Sequence, residues 1–246
     1  MKPKLGARLL LVSLGFLAGC GGLAATAPPA PRAGTATLWG TVRLVPHQGV
    51  TLPASAGAYA DRALRDAELV DYSKPEFAVV SVEGLPSPGG TATLVLRASR
   101  FATRFEPRYA AVGVGGTVTV RNEDAIPHLV SSPRAGALVS VLPGGSAEIP
   151  AREPGEQRVF EVSAPAGGGA SGAEASVYVA SGPFAVASSD GRWVLAELPV
   201  PVKSEPGGAA APLVLHAWHP RFPPIDQPLS LAANDSRRLD LEFQVR

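Results

Sequence analysis

Sulfur is almost missing from this chain. Its 246 residues hold one cysteine, Cys20, and one methionine, the initiator Met1. A single cysteine excludes a disulfide framework, a CxxC redox pair and a cysteine-rich zinc site, and Met1 alone leaves no thioether for a metal. An excess of either charge is lacking as well. Twenty-two Lys and Arg face 21 Asp and Glu, for a formal charge of +1, which removes the basic surface that nucleic-acid binding needs. Aromatic residues are only 6% of the chain. Glycine and proline are abundant instead, 27 and 25 residues, so turns must be frequent and long helices few. With 46% hydrophobic and 17% charged residues, the composition is that of a globular protein and not of a disordered tail.

The first twenty residues carry an address. Lys2, Lys4 and Arg8 precede an apolar run, Leu9 to Leu17, that is too short to span a bilayer and fits a secretory signal. The run ends Leu17-Ala18-Gly19-Cys20, which resembles the bacterial lipobox, where the cysteine thiol takes a diacylglyceryl group and cleavage makes it the new N-terminus. An ordinary signal peptide with an incidental cysteine is the alternative. Lipidation of Cys20 would anchor the chain, since each buried methylene contributes about 0.8 kcal/mol. Loss of residues 1–19 removes three of the 22 positive charges and leaves 19 against 21, net −2. Gly21 after the cysteine fits an outer-membrane destination facing the periplasm. Residues 20–34 read as a lipidated N-terminus and a Pro-rich tether.

Beyond the tether, short runs of β-branched and alternating residues recur between turn signals. Thr35–Val45, Phe77–Val82, Thr91–Arg97, Thr117–Arg121, Ala137–Leu142, Gln157–Val162, Ala175–Ala180, Phe184–Ala187, Trp193–Ala196, Leu213–Trp218 and Leu239–Val245 are predicted strands. One short helix is predicted over 56–71, where Tyr59, Ala60, Ala63, Leu64 and Ala67 recur at helical spacing. The fold class is therefore all-β, in two modules. The Gly-rich stretch 165–174 is the predicted boundary, giving domains at 35–165 and 175–246.

Two segments carry a family resemblance. Phe105-Glu106-Pro107, the run Gly113 to Asp124, and Pro127-His128-Leu129-Val130 together resemble a cupredoxin. Pro183–Pro199 followed by Leu213–His219 is similar to a transthyretin-like or carboxypeptidase-regulatory-like module. The whole, over about 37–246, resembles periplasmic cupredoxin-like proteins of the methylamine-utilization type. The resemblance implies a Greek-key sandwich and places the first copper ligand on His128. In the family, a Cys, a His and a Met follow on one loop after the strand that matches Gln157–Val162. Here Ser163–Glu174 holds none of the three. Without a thiolate there is no blue-copper centre, so no cofactor is expected.

The remaining candidates are few. His128 is either a retained metal ligand or a histidine left at the head of a strand. His216 and His219 lie three apart, on opposite faces of a strand, and converge only across a bulge or strand end. His47 beside Pro46 reads as a turn residue. No Gly-x-Ser-x-Gly elbow is present, and Gly167–Gly169 lacks the lysine of a phosphate loop. Asp61, Asp66, Glu68 and Asp71 are interleaved with Arg62 and Arg65 and read as a solvated helix face. Trp39, Trp193 and Trp218 could line a sugar or peptide groove or anchor a core. These residues point to a non-enzymatic cell-envelope lipoprotein that binds or scaffolds an envelope protein, peptide or glycan. The rival is a histidine-based copper or zinc protein.

Overall fold

The computed structural model describes residues 30–46, 71–98, 103–163, 172–200 and 212–244. The expected signal segment, Cys20, His47 and nearly all of the expected helix 56–71 lie outside the described residues. The chain enters through β1 (Thr35–Val45) and β2 (Val79–Glu83). Nine strands follow: β3 (Thr91–Ala98), β4 (Thr103–Glu106), β5 (Tyr109–Gly113), β6 (Thr117–Asn122), β7 (His128–Ser132), β8 (Ala137–Val141), β9 (Ser146–Pro150), β10 (Gly155–Glu161) and β11 (Glu174–Ala180). The chain leaves through β12 (Phe184–Val186), β13 (Arg192–Pro199), β14 (Leu213–His219), β15 (Phe222–Leu229), β16 (Ser236–Arg238) and β17 (Leu241–Gln244). Among the described residues the helical content is one 3-10 turn, Pro133–Ala135, and no helix is long and apolar enough to cross a membrane. The all-β expectation holds.

Strands β3 to β11 build one sandwich. Its sheets run β4-β3-β6-β9 and β5-β11-β10-β7-β8, with β3 parallel to β6 and β5 parallel to β11. Alternation decides what each strand buries. In β6, Val118, Val120 and Asn122 turn inward while Thr117, Thr119 and Arg121 face out. Leu94, Leu96, Val118, Val120 and Ile149 from the first sheet meet Val130, Val159, Val177 and Val179 from the second. Each such side chain, fully removed from water, contributes about 1.5–3 kcal/mol.

The other strands build a second sandwich, with sheets β13-β1-β16 (β17 also on β1) and β12-β2-β14-β15. Its core centres on Leu38, Val80, Trp193, Leu215, Phe222 and Phe243. Strand pairing therefore divides the chain differently from the expected cut at 165–174. Strand β11, beyond that cut, pairs with β10 and β5, whereas β1 and β2, before it, pair with β12 to β17. Residue periodicity reports that a segment is a strand and which face is apolar. It does not report which sheet receives the strand.

The first sandwich is thus inserted between β2 and β12, and those two strands lie side by side, Phe184 opposite Ser81. Gly182 makes that closure possible, because a Cβ there would sit 2.0 Å from the carbonyl oxygen of Val82. A seam joins the two sandwiches. Val79, Tyr178, Ala180 and Trp218 are buried in it, with Phe77, Ala111 and Phe184 packed alongside. Tyr178 from β11 stacks on Trp218 at 5.0 Å and on His216 at 5.7 Å.

Candidate functional site

His128 stands at the head of β7, where the loop from β6 ends. That loop is organised by Asn122, the last residue of β6. Its Nδ2 donates to the carbonyls of Ile126 at 2.7 Å and Val141 at 3.0 Å, and its Oδ1 accepts from the Asp124 N–H at 2.8 Å. An Asx-type turn of this kind fixes the following residues without any ladder. Asp124 is thereby aimed at the histidine, and its Oδ2 lies 2.9 Å from His128 Nε2. On the other side of the ring, Glu161 Oε1 lies 3.2 Å from His128 Nδ1. Glu161 closes β10 on the inward face that also carries Gln157 and Val159. It accepts from the Ser163 N–H at 2.9 Å, and the Ser163 hydroxyl accepts from the Leu129 N–H at 2.7 Å.

The ring is therefore clamped between two carboxylates. The exposures of the three side chains are 2% for His128, 0% for Glu161 and 13% for Asp124. A neutral imidazole has one N–H and can satisfy one carboxylate only. Satisfying both requires one further proton, on the ring or on a carboxyl. The trio is a buried, charge-bearing network that ties the β6–β7 loop to the end of β10. Its geometry suits structural locking, because removing any member leaves a buried polar group unpaired.

The copper that the resemblance implies does not fit these donors. A blue-copper site needs a thiolate and two imidazoles converging on one point. Here Glu161 and Asp124 flank opposite nitrogens of a single ring. Among the described residues, no group of three or more His, Cys, Asp or Glu side chains is arranged to hold a metal ion.

The other two histidines do not join His128, nor do they meet each other. His216 faces the seam, bonded through Nδ1 to Asp226 at 2.5 Å. His219 points into the core of the second sandwich, with Phe222 at 4.8 Å and Phe243 at 5.5 Å. A register irregularity does occur between Ala217 and His219, but Leu215, Ala217 and His219 all remain on the core side, so the pair cannot chelate. Burial pushes His219 down to about 4, helped by Arg221. Its Nδ1 accepts from the Arg221 N–H, leaving the buried Nε2 without a partner. His47 lies outside the described residues.

Of the tryptophans, Trp193 and Trp218 are buried, and Trp39 is half-buried under the Arg238 guanidinium at 5.3 Å. Trp193 belongs to the core of the second sandwich and Trp218 to the seam. A shallow groove of about 410 Å³ does exist on the second sandwich, between Arg43, Gln227, Asp240 and Glu242. Desolvation pushes Tyr178 up to about 12, and nearby Glu83 adds to the shift. Asp124 and Glu161 were missed as partners of His128. Glu161 had left a trace in the sequence, as an acid on the apolar face of its strand.

No family model matches this chain, and no curated protein matches it. Solved structures do. The Cu-containing nitrite reductase from Thermus scotoductus SA-01 is 23% identical over 37% of this chain and 27% of its own, with a TM-score of 0.30. The match thus spans about a quarter of that enzyme's length. A purple cupredoxin from Nitrosopumilus maritimus is 20% identical over 35% of this chain and 98% of its own, with a TM-score of 0.27. The Cu(I) form of an amicyanin mutant is 18% identical over 41% and 97%, also at 0.27. These likenesses are of fold alone, and the two facing sheets of β3–β11 show an all-β sandwich by themselves.

Proposed function

We propose that this protein is a non-enzymatic cell-envelope lipoprotein, held at the membrane through Cys20, whose cupredoxin-like sandwich binds or scaffolds an envelope protein, peptide or glycan. The second sandwich, with its two facing sheets, is read as transthyretin-like. One observation carries the proposal: the histidine that the family would give to copper has both nitrogens taken by Asp124 and Glu161. A ring held this way serves the fold. The Cys20 anchor is tested by metabolic labelling with palmitate, where Cys20→Ser is expected to abolish the label and release the chain from membranes.

A second reading rests on one detail. Asp124 is the more exposed of the two carboxylates, so an ion entering from that side would meet His128 Nε2 and Asp124 while Glu161 steadied Nδ1, as second-shell carboxylates do. Titration of the full chain with Cu(I), Cu(II) and Zn(II), by calorimetry and elemental analysis, separates the readings. The scaffold reading expects no stoichiometric ion. One tightly bound ion lost in His128→Ala but kept in the His216→Ala/His219→Ala variant would overturn it.

A further inference from the structure

Exposed sheet edges invite pairing with another chain, and proteins blunt them with charge, proline, brevity or cover. Most edges of this molecule are blunted in one of these ways. Strand β15 carries Pro223, Pro224 and Pro228, β4 carries Arg104 and Glu106, and β9 carries Glu148 and Pro150. Strand β12 is three residues long, β13 carries Arg192 and Glu197, and β5 borders the seam. Among the described strands, β8 is the exception. It ends the sheet β5-β11-β10-β7-β8, and from Ala137 to Leu142 it has neither a charge nor a proline.

The direction of its backbone groups follows from its neighbour. The Leu129 N–H bonds Ser163 Oγ, and the Leu129 carbonyl accepts from Val162, so Leu129 faces β10. Alternation then turns His128, Val130 and Ser132 toward β8. Their partners Val141, Val139 and Ala137 face β7, which leaves Leu138, Ser140 and Leu142 facing the open side. Leu138 is 63% exposed and Leu142 65%. Ile126, Leu129 and Val162 extend the apolar surface around the same end of the sandwich.

We propose that β8 pairs antiparallel with β8 of a second copy of this chain, about a two-fold axis through Ser140. In that register Ser140 faces its own symmetry mate, and Leu138 of each chain faces Leu142 of the other. Ser140 and Leu138 present outward N–H and C=O groups and Leu142 its N–H, the Leu142 carbonyl accepting from the Gly145 N–H in the turn that follows, so the ladder centres on the narrow Ser140 pair. The occupant is a second copy because the strip is uncharged. A charged edge brought against itself sets like charges opposite one another, and this one does not. The two five-stranded sheets become one of ten strands. This inference stands apart from the reading of His128, and neither result bears on the other.

Sedimentation velocity of the full chain over a range of concentrations tests it. The expected result is a reversible monomer–dimer equilibrium. Ser140→Lys and Ser140→Glu each place like charges on the axis and are expected to weaken dimerisation about tenfold or more. An equimolar mixture of the two variants should restore it. Ser140 is exposed, so both variants should keep the wild-type unfolding midpoint. Leu138→Lys is the second probe should either fail to fold. A sedimentation coefficient independent of concentration overturns the proposal. So does a dimer indifferent to these substitutions, or a mixture that stays monomeric.

Discussion

At His128 the ring is held by two acids, Asp124 from the loop just before it and Glu161 from a strand 33 residues on, and the cost of loosening either can be stated. Glu161→Gln keeps the side-chain volume but replaces a carboxyl group with an amide in a fully buried position, and urea unfolding should show a loss of about 1–3 kcal/mol. Asp124→Asn, at the more exposed end, should cost less. The double variant should fall short of the sum of the two, because both act on one ring. An effect under a few tenths of a kcal/mol for Glu161→Gln would mean that the clamp is idle. His219 answers to pH instead. An unfolded histidine takes its proton near 6.5, whereas native His219 resists until about 4. Its contribution is complete above pH 6.5 and is lost as pH falls from 6.5 to 4, by about 3 kcal/mol in all. His219→Leu should flatten that part of the stability–pH curve, and an unchanged slope would place the titration elsewhere.

Among the elements, the strands with clean alternation were legible. Thr117–Arg121 is the core of β6, Thr91–Arg97 lies within β3, and Thr35–Val45 is β1 itself. Strand β15 was not, because three prolines in eight residues read as a loop. Pro224 and Pro228 share one parity, so an edge strand can leave both missing N–H groups on its open side, and Pro223 falls where the β14–β15 register is irregular. The separation of His216 from His219 was legible from parity, and the local irregularity did not undo it. The pairing of His128 with Glu161 was not legible, since 33 residues separate them and only the β10–β7 ladder brings them together. Glycine positions follow the same logic of long-range approach. A Cβ at Gly182 would meet the Val82 carbonyl at 2.0 Å, and one at Gly40 would meet that of Leu239 at 1.8 Å. Backbone cannot swing aside as a side chain does. Gly182→Ala is therefore expected to cost about 3 kcal/mol by thermal or denaturant unfolding, and a neutral result would show that β2 and β12 are not closed as described.

For the molecule as a whole, the seam decides whether the two sandwiches unfold together. Trp218 is 8% exposed and bridges Tyr178 and Phe77. Trp218→Ala should remove about 3–5 kcal/mol and, by uncoupling the units, split one calorimetric transition into two. A single, merely shifted transition would place the coupling elsewhere. The insertion of one sandwich between β2 and β12 has a kinetic side as well. Between Glu83 and Phe184 the unfolded chain is a loop of about 100 residues, and closing it costs about 4 kcal/mol beyond the constant part of the closure entropy. Once β3 to β11 have condensed, their two ends stand as far apart as neighbouring strands, and nearly all of that cost has already been met. The outer sandwich, made of strands from both ends of the chain, then assembles across what has become a short hairpin. Its folding nucleus is another unit's native state, so a lesion in the inserted core should slow the assembly of residues it never touches.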